Sequence, residues 1–139
     1  MQHFDPVNKF TYTLDTNSRY HSFDDKPAIE YINSNEKIWM MDGVLDRDYK
    51  KGPAMINTNS FSFYKNGLLH NPTGHAYKKD NITTYYVMGN EYKLTFDKGK
   101  IHGFQQVLIN GKWEKEIWVD GARISYSTLP VIINRNEHE

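Results

Sequence analysis

Histidine is the residue type in this sequence that is best suited to acid–base and metal chemistry. His70 and His75 flank the segment Asn71-Pro72-Thr73-Gly74, and His102 stands before a glycine. A metal site requires three or four converging ligands, and two histidines in one loop do not provide them. A general base requires a carboxylate that orients it, and the sequence does not indicate one for His102. We predict that His70 closes a structural unit by hydrogen bonding to the backbone of the following turn, and we assign no catalytic residue and no metal ligand.

Closely spaced carboxylates are the second group with chemical potential. Asp42, Asp46 and Asp48 lie within one short stretch, and paired acids can bind a cation or hydrolyse a glycosidic bond. The presence of Asp42 is explained by a turn, because Asp followed by Gly is common at the centre of a hairpin turn. Asp46 and Asp48 stand beside Arg47 and Lys50, which is typical of a solvated loop of mixed charge. We therefore interpret Asp42, Asp46 and Asp48 as structural residues and not as a catalytic pair or a cation site.

Aromatic residues make up 14% of the chain and are candidates for binding. Most of them fall at repeated positions in predicted strands, where packing in the core explains them. Tyr92 and Trp113 fall outside those positions. Because Trp and Tyr dominate binding hot spots, we predict both as exposed binding anchors.

The composition limits the classes of partner. The 139 residues include 17 Lys and Arg, 17 Asp and Glu, and no cysteine. The lack of cysteine excludes disulfides and thiolate chemistry, and the zero net charge argues against nucleic acid and anionic membranes. Low net charge also leaves a homo-oligomer open. With no signal peptide or membrane segment apparent, we expect one cytoplasmic domain over residues 1–139 that needs no cofactor.

Glycine turns indicate the elements that position these residues. Pairs suited to two-residue hairpin turns recur, at first at intervals of roughly 20–25 residues, as a tandem architecture requires. The pairs are Asp42-Gly43, Asn66-Gly67, Gly89-Asn90, Asn110-Gly111 and Asp120-Gly121. Such spacing predicts an antiparallel sheet built from hairpins.

The residues before each glycine form apolar columns. Four positions before it stand Trp39, Phe63, Tyr85, Val107 and Ile117. Two positions before it stand Met41, Lys65, Val87, Ile109 and Val119. Because side chains alternate along a strand, both columns are predicted to share one buried face.

These signals predict an all-β protein in which each unit is a hairpin. Small Ala28, Ala54 and Ala76 precede the predicted hairpin strands and permit the close approach of a neighbouring unit. The predicted segments are an entry strand at about 9–14, repeats at about 25–47, 51–70, 73–93 and 100–124, a closing edge strand at Leu129–Ile133, and a frayed tail at 134–139.

The block from Lys51 to His70 resembles a known repeat. Its Gly52-Pro53-Ala54 start and its Tyr64-Lys65-Asn66-Gly67-Leu68-Leu69-His70 end are similar to the degenerate MORN-like hairpin repeat of large DNA viruses, phages and some bacteria. The block from Asp25 to Arg47 departs from that pattern, since Lys26 replaces the glycine and Asp46-Arg47 replace the histidine. The resemblance implies an elongated array of β-hairpins that serves as a scaffold or a binding surface.

The expected function is therefore that of a non-enzymatic interaction module with a protein partner. The resemblance adds the expectation of a viral or phage accessory protein in the host cytoplasm that inhibits or recruits a host protein. One alternative is a structural or assembly component such as a minor capsid or scaffold protein. A further alternative is a small hydrolase or metal-dependent enzyme that uses His70, His75 or His102.

Overall fold

A computed structural model describes residues 2–124, and the regular secondary structure of these residues is entirely β. The all-β, antiparallel, hairpin-based class is confirmed. The chain divides after Glu91 into two compact units, which are described separately below. The predicted edge strand at Leu129–Ile133 and the tail at 134–139 lie outside the described residues. Among the described residues, no helix has the length and hydrophobicity that crossing a membrane requires.

The first unit consists of a main sheet and small hairpins at its side. Its strands are β1 (Gln2–Asp5), β2 (Phe10–Thr13), β3 (Ile29–Tyr31), β4 (Lys37–Ile38), β5 (Met40–Met41), β6 (Val44–Leu45), β7 (Met55–Ile56), β8 (Ser60–Ser62), β9 (Tyr64–Lys65), β10 (Leu68–Leu69), β11 (Tyr77–Lys79) and β12 (Ile82–Val87). The main sheet has the order β1-β2-β3-β4-β7-β8-β11-β12, with antiparallel neighbours. Strands β5–β6 and β9–β10 form separate hairpins. The predicted entry strand corresponds to β2, and sequence analysis missed its partner β1.

The second unit is built around one long hairpin. Strand β13 (Asn90–Lys93) spans the division, and the strands after it are β14 (Phe96–Asp97), β15 (Lys100–Ile101), β16 (Gly103–Ile109), β17 (Lys112–Val119) and β18 (Ala122–Ile124). Strands β13, β16, β17 and β18 are neighbours in that order, and β14 pairs with β15. Gln105 and Val107 of β16 are fully buried, and so is Ile101 apart from 1% of its surface.

Two-residue turns close the hairpins because both of their central residues adopt positive φ. The φ angles are 53° and 81° at Asp42 and Gly43, and 51° and 79° at Asn66 and Gly67. This is the type I′ turn, whose twist matches that of the flanking strands. The predicted reversals at these positions are confirmed.

The predicted pair Gly89-Asn90 is wrong by one residue. The turn uses Met88 and Gly89, with φ angles of 49° and 85°, and Asn90 begins β13. A further turn at Lys98 and Gly99, with φ angles of 52° and 80°, was missed. In both cases a residue that disfavours positive φ occupies the first central position, so the sequence signal is weak there.

The prediction that both columns share one buried face is also wrong. Trp39 and Val107, four positions before a glycine, are buried. Of the residues two positions before a glycine, Val87 is buried, but Met41, Ile109 and Val119 are exposed. In the first unit the chain bends at Trp39, between β4 and β5, so that residues 39 and 41 do not lie in one strand. Ile109 and Val119 each end a strand beside a turn, at the margin of the sheet.

Buried alanines bring the repeated hairpins of the first unit together. Ala28, Ala54 and Ala76 have no exposed surface. The backbone of Ala54 bonds to both sides, since its carbonyl accepts the amide of Trp39 at 2.7 Å and its own amide donates to Ser62 at 2.9 Å. The same bonds join Ala76 to Phe63 and Thr84, and Ala28 to Thr13 and Ile38. A larger side chain has no space at these positions, and the predicted close approach is confirmed.

Gly67→Ala tests how closely successive hairpins approach. A Cβ at Gly67 would lie 3.1 Å from Cγ1 of Val44, whereas a Cβ at Gly43 would make an ordinary contact at 3.5 Å with Arg19. Both glycines have left-handed φ angles, so either alanine costs about 1–2 kcal/mol. We expect Gly67→Ala to lower the free energy of unfolding by about 1 kcal/mol more than Gly43→Ala does, as measured by urea titration. Equal decreases in the free energy of unfolding would show that the Val44 side chain does not restrict the space at Gly67.

Candidate functional site

The turn at Met88 and Gly89 is held by the hairpin that precedes it in the chain. The amide of Gly89 donates to the carbonyl of Leu69 at 2.8 Å, and the amide of Met88 donates to Nδ1 of His70 at 2.9 Å. We call this pair of bonds the turn clamp. It satisfies two adjacent backbone donors of the turn, which need acceptors outside it. His70 thus hydrogen bonds to the backbone of a turn, as predicted, but this turn is at Met88 and Gly89 and not in the segment that directly follows His70.

The turn clamp recurs at three other turns, with either histidine or aspartate as the side-chain acceptor. His21 Nδ1 accepts from the Asp42 amide at 3.1 Å, Asp46 Oδ2 from the Asn66 amide at 3.0 Å, and His102 Nδ1 from the Asp120 amide at 3.1 Å. The carbonyls of Tyr20, Leu45 and Ile101 accept the amides of Gly43, Gly67 and Gly121, each at 2.8 Å. An imidazole nitrogen and a carboxylate oxygen therefore accept equivalent bonds.

The environment of His70 keeps its imidazole neutral. Its side chain is partly buried, and the ring of Tyr49 stands edge-on to it at 6.1 Å. Burial lowers the pKa of His70, and the positive charge of Lys65 lowers it further. Because Nδ1 must be unprotonated to accept the Met88 amide, the neutral form is the one that makes the clamp.

The carboxylates of the Asp46 region have structural partners. The prediction that Asp46 lies in a solvated loop is wrong, because only 7% of its surface is exposed. It accepts the clamp bond from Asn66 and lies 3.4 Å from Nζ of Lys65. Asp48 is exposed and accepts the amide of Lys50 at 2.9 Å, as expected of a loop residue.

An ion pair that sequence analysis missed joins Asp25 to Arg47. Nε and Nη2 of Arg47 donate to the two carboxylate oxygens at 2.9 and 3.0 Å, and Nη1 donates to the carbonyl of Pro53 at 3.0 Å. These bonds lower the pKa of Asp25 more than its burial raises it. The guanidinium lies 3.8 Å above the ring of Trp39, and a Cβ at Gly52 would come within 2.6 Å of it. Through Arg47, the pair is joined to the backbone of the next repeat at Pro53.

Asp15, His21 and Asp42 form the one group of three potential metal ligands in residues 2–124. Two of the three side chains already accept hydrogen bonds, and the Asp42 carboxylate lies 3.5 Å from Nη2 of Arg19. Asp15 accepts the amides of Asn17 and Arg19 and the Arg19 guanidinium, the last at 3.0 Å. His21 accepts the amide of Asp42. The group is part of the first turn clamp, and a guanidinium supplies its positive charge.

The histidines considered for catalysis do not converge. Within the described residues, His70, His75 and His102 belong to no group of three potential ligands. His75 stacks on the ring of Tyr85, with ring centres 4.3 Å apart. The hydrolase and metal-enzyme hypotheses thus gain no assembled site from the part of the chain that is described.

Tyr92 was predicted to be exposed, and this is wrong: only 6% of its surface is accessible. Its hydroxyl donates to Oε1 of Glu116 at 2.7 Å, and its ring packs edge-on against Trp118. Burial and the bond to Glu116 raise the pKa of Tyr92. Tyr92 stands three positions after Gly89, as His70 does after Gly67, so its place in the repeat is that of the clamp residues.

Trp113 lies on an exposed face of the second unit, as predicted. Its exposed fraction is 37%, and Nζ of Lys93 lies 4.4 Å from the centre of its ring. On the same face, Phe104 is 68% exposed, and Nζ of Lys115 lies 6.0 Å from its ring. The aromatic–lysine face, as we name it, consists of Lys93, Phe104, Gln106, Leu108, Trp113, Lys115 and Ile117.

Comparisons with known proteins give no relative from which a function can be transferred. No protein-family model matches the chain, and no curated protein and no solved structure matches it either. The MORN-like resemblance stays a prediction. The function must therefore be argued from the turn clamps and the aromatic–lysine face.

His70→Asn tests the pH dependence of the turn clamp. The folded state lowers the pKa of His70, so its contribution to stability is complete above the unfolded-state pKa near 6.5 and is lost as pH falls through the folded-state value. Asparagine supplies an acceptor that does not titrate. We expect the free energy of unfolding of this variant, measured by urea titration from pH 7.5 to 5, to fall less than that of the wild type. Parallel curves would show that protonation of His70 does not weaken the fold.

Proposed function

We propose that this chain is a non-enzymatic protein-interaction module whose binding surface is the aromatic–lysine face. The observation that carries the proposal is the exposure of Phe104 and Trp113 on adjacent strands of a regular sheet. Large exposed rings are costly in water and are the usual anchors of protein interfaces. Lysines beside these rings add positive charge to the surface, which can contribute to the choice of partner.

The scaffold under this face supports the proposal because it is pre-organised. Gln105, on the opposite side of β16, accepts the Thr95 amide at 2.6 Å, and its amide group donates to the carbonyl of His102 at 3.0 Å. Glu116, on the opposite side of β17, accepts bonds from Tyr92 and from Nε1 of Trp118. A surface that is fixed before binding loses little conformational entropy when a partner docks.

The hydrogen bonds that the histidines and Asp46 already make to backbone amides support the non-enzymatic part of the proposal. His70 and His102 each use one ring nitrogen as an acceptor for a turn amide. Asp46, which does the same, is buried. The roles as a viral accessory protein or as an assembly component stay predictions of the sequence analysis.

Selection from a displayed library of random 12-residue peptides tests the proposed function. We expect the protein to select peptides, and Phe104→Ala and Trp113→Ala each to weaken their binding about 30-fold, since hot-spot rings contribute about 2 kcal/mol. Phe4→Ala is the matched control, because Phe4 is an exposed ring of the first unit and 50% of its surface is accessible. Urea titration should place Phe104→Ala and Phe4→Ala within about 0.5 kcal/mol of the wild type, and Trp113→Ala, whose ring is more covered, about 1–2 kcal/mol below it.

Two results would contradict the proposal. One is the failure of any peptide to be enriched over a protein-free control. The other is equal loss of binding in Phe4→Ala and in the two face variants, which would place the surface elsewhere.

A further inference from the structure

The aromatic–lysine face is organised in rows that run across the strands. Lys93 pairs with Gln106, and Gln106 pairs with Lys115, so these three side chains form one polar row over β13, β16 and β17. Residues in register on neighbouring strands point to the same side of a sheet. Lys93 therefore stands at one end of this row, Lys115 at the other and Gln106 at the centre, and each ammonium group extends towards a ring of a neighbouring row.

An apolar row flanks the polar row on each side. Phe104 pairs with Ile117, and Leu108 pairs with Trp113. Along β16 the outward side chains are thus Phe104, Gln106 and Leu108, which alternate with the buried Gln105 and Val107. The order along the strand is apolar, polar, apolar.

The two ammonium groups lack a negative partner in the described part of the chain. Neither Lys93 nor Lys115 makes an ion pair within residues 2–124, although lysines elsewhere do, for example Lys65 with Asp46. Glu91, two positions before Lys93 in β13, is on the same side of that strand, but it makes no ion pair with either lysine in the described residues. Contact with the rings of Trp113 and Phe104 restrains the lysine side chains, so that their charges are already positioned.

We propose that the aromatic–lysine face binds an extended segment of a partner protein in which an acidic residue has an apolar residue two positions before it and another two positions after it. This inference rests on the proposed function and specifies its partner. Alternate residues of an extended chain are about 6.7 Å apart, which is the spacing of Phe104, Gln106 and Leu108 along β16. A segment that runs along β16 places its apolar side chains on the two apolar rows and its carboxylate on the lysine row.

Charge and shape both favour a peptide over a phosphate-bearing partner. Nucleic acids are bound by basic grooves that follow a chain of phosphates, and here two lysines lie between apolar rows. The whole chain has no net positive charge to attract a polyanion. A carboxylate between two apolar side chains matches the charge and the pattern of this face.

A charge-reversal experiment tests the inference. The peptide library is selected against the wild type and against a Lys93→Glu/Lys115→Glu variant, and the affinities of synthetic consensus peptides are measured by calorimetry. We expect wild-type peptides to carry Asp or Glu flanked by apolar residues at alternate positions. The reversed variant should bind them at least about 10-fold more weakly, and should prefer versions of them with Lys in place of the acid.

A Lys79→Glu/Lys112→Glu variant is the matched control. Both lysines are exposed, the net charge changes equally, and Lys112 pairs with Ile109 outside the aromatic–lysine face. We expect its affinity for the acidic peptides to stay within about 2-fold of the wild type, because charges away from the contact are screened.

The remaining outcomes separate this inference from the proposed function. Peptides that need Phe104 and Trp113 but show no preference for acids would overturn the inference and leave the proposed function standing. No selected peptide would overturn both. Binding to vesicles that contain phosphatidylserine, with no peptide selected, would overturn both and indicate a lipid surface.

Discussion

The hydrogen bond from the first amide of a turn to a side chain of the preceding hairpin is the constraint on which the repeated architecture depends. A type I′ turn directs two adjacent amides away from its own hairpin, and these amides need acceptors outside the turn. In the turn clamp, Leu69 and His70 supply both acceptors for Met88 and Gly89. Each acceptor side chain stands three positions after a residue with positive φ, which is Ser18 for His21 and a glycine for Asp46, His70 and His102.

The orientation of the aromatic–lysine face also depends on hydrogen bonds, in this case those that satisfy a buried polar side chain. Gln105 has no exposed surface, and its amide group is satisfied by Thr95, His102 and Gly103. This fixes which side of β16 faces inward. A one-residue slip would bury Phe104 and expose Gln105, and would leave the amide without its partners. The outward position of Phe104 is therefore set by an interaction on the other side of the sheet.

The sequence predicts the features that depend on local conformation, and misses those that depend on contacts between distant residues. Asn110-Gly111 is recognisable as a two-residue turn, and such a turn alone implies that Leu108 pairs with Trp113. The pairing of Lys93 with Gln106 cannot be read in this way, because no tight turn joins β13 to β16. The bonds of Arg47 to Asp25 likewise join two loops whose approach depends on the folded sheet.

The equivalence of Asp46 and His70 bears on whether these residues are chemical or structural. A carboxylate and an imidazole differ in charge and in proton affinity, so they are poor substitutes for each other in proton transfer. They share an unprotonated atom that can accept an amide hydrogen bond at a fixed distance from the backbone. Both make that bond in corresponding places, at 3.0 and 2.9 Å. What the repeat requires at this position is an acceptor, and the histidines are explained by that requirement alone. The exposed rings and unpaired lysines of the second unit have no such structural explanation, which is why the function is assigned to them.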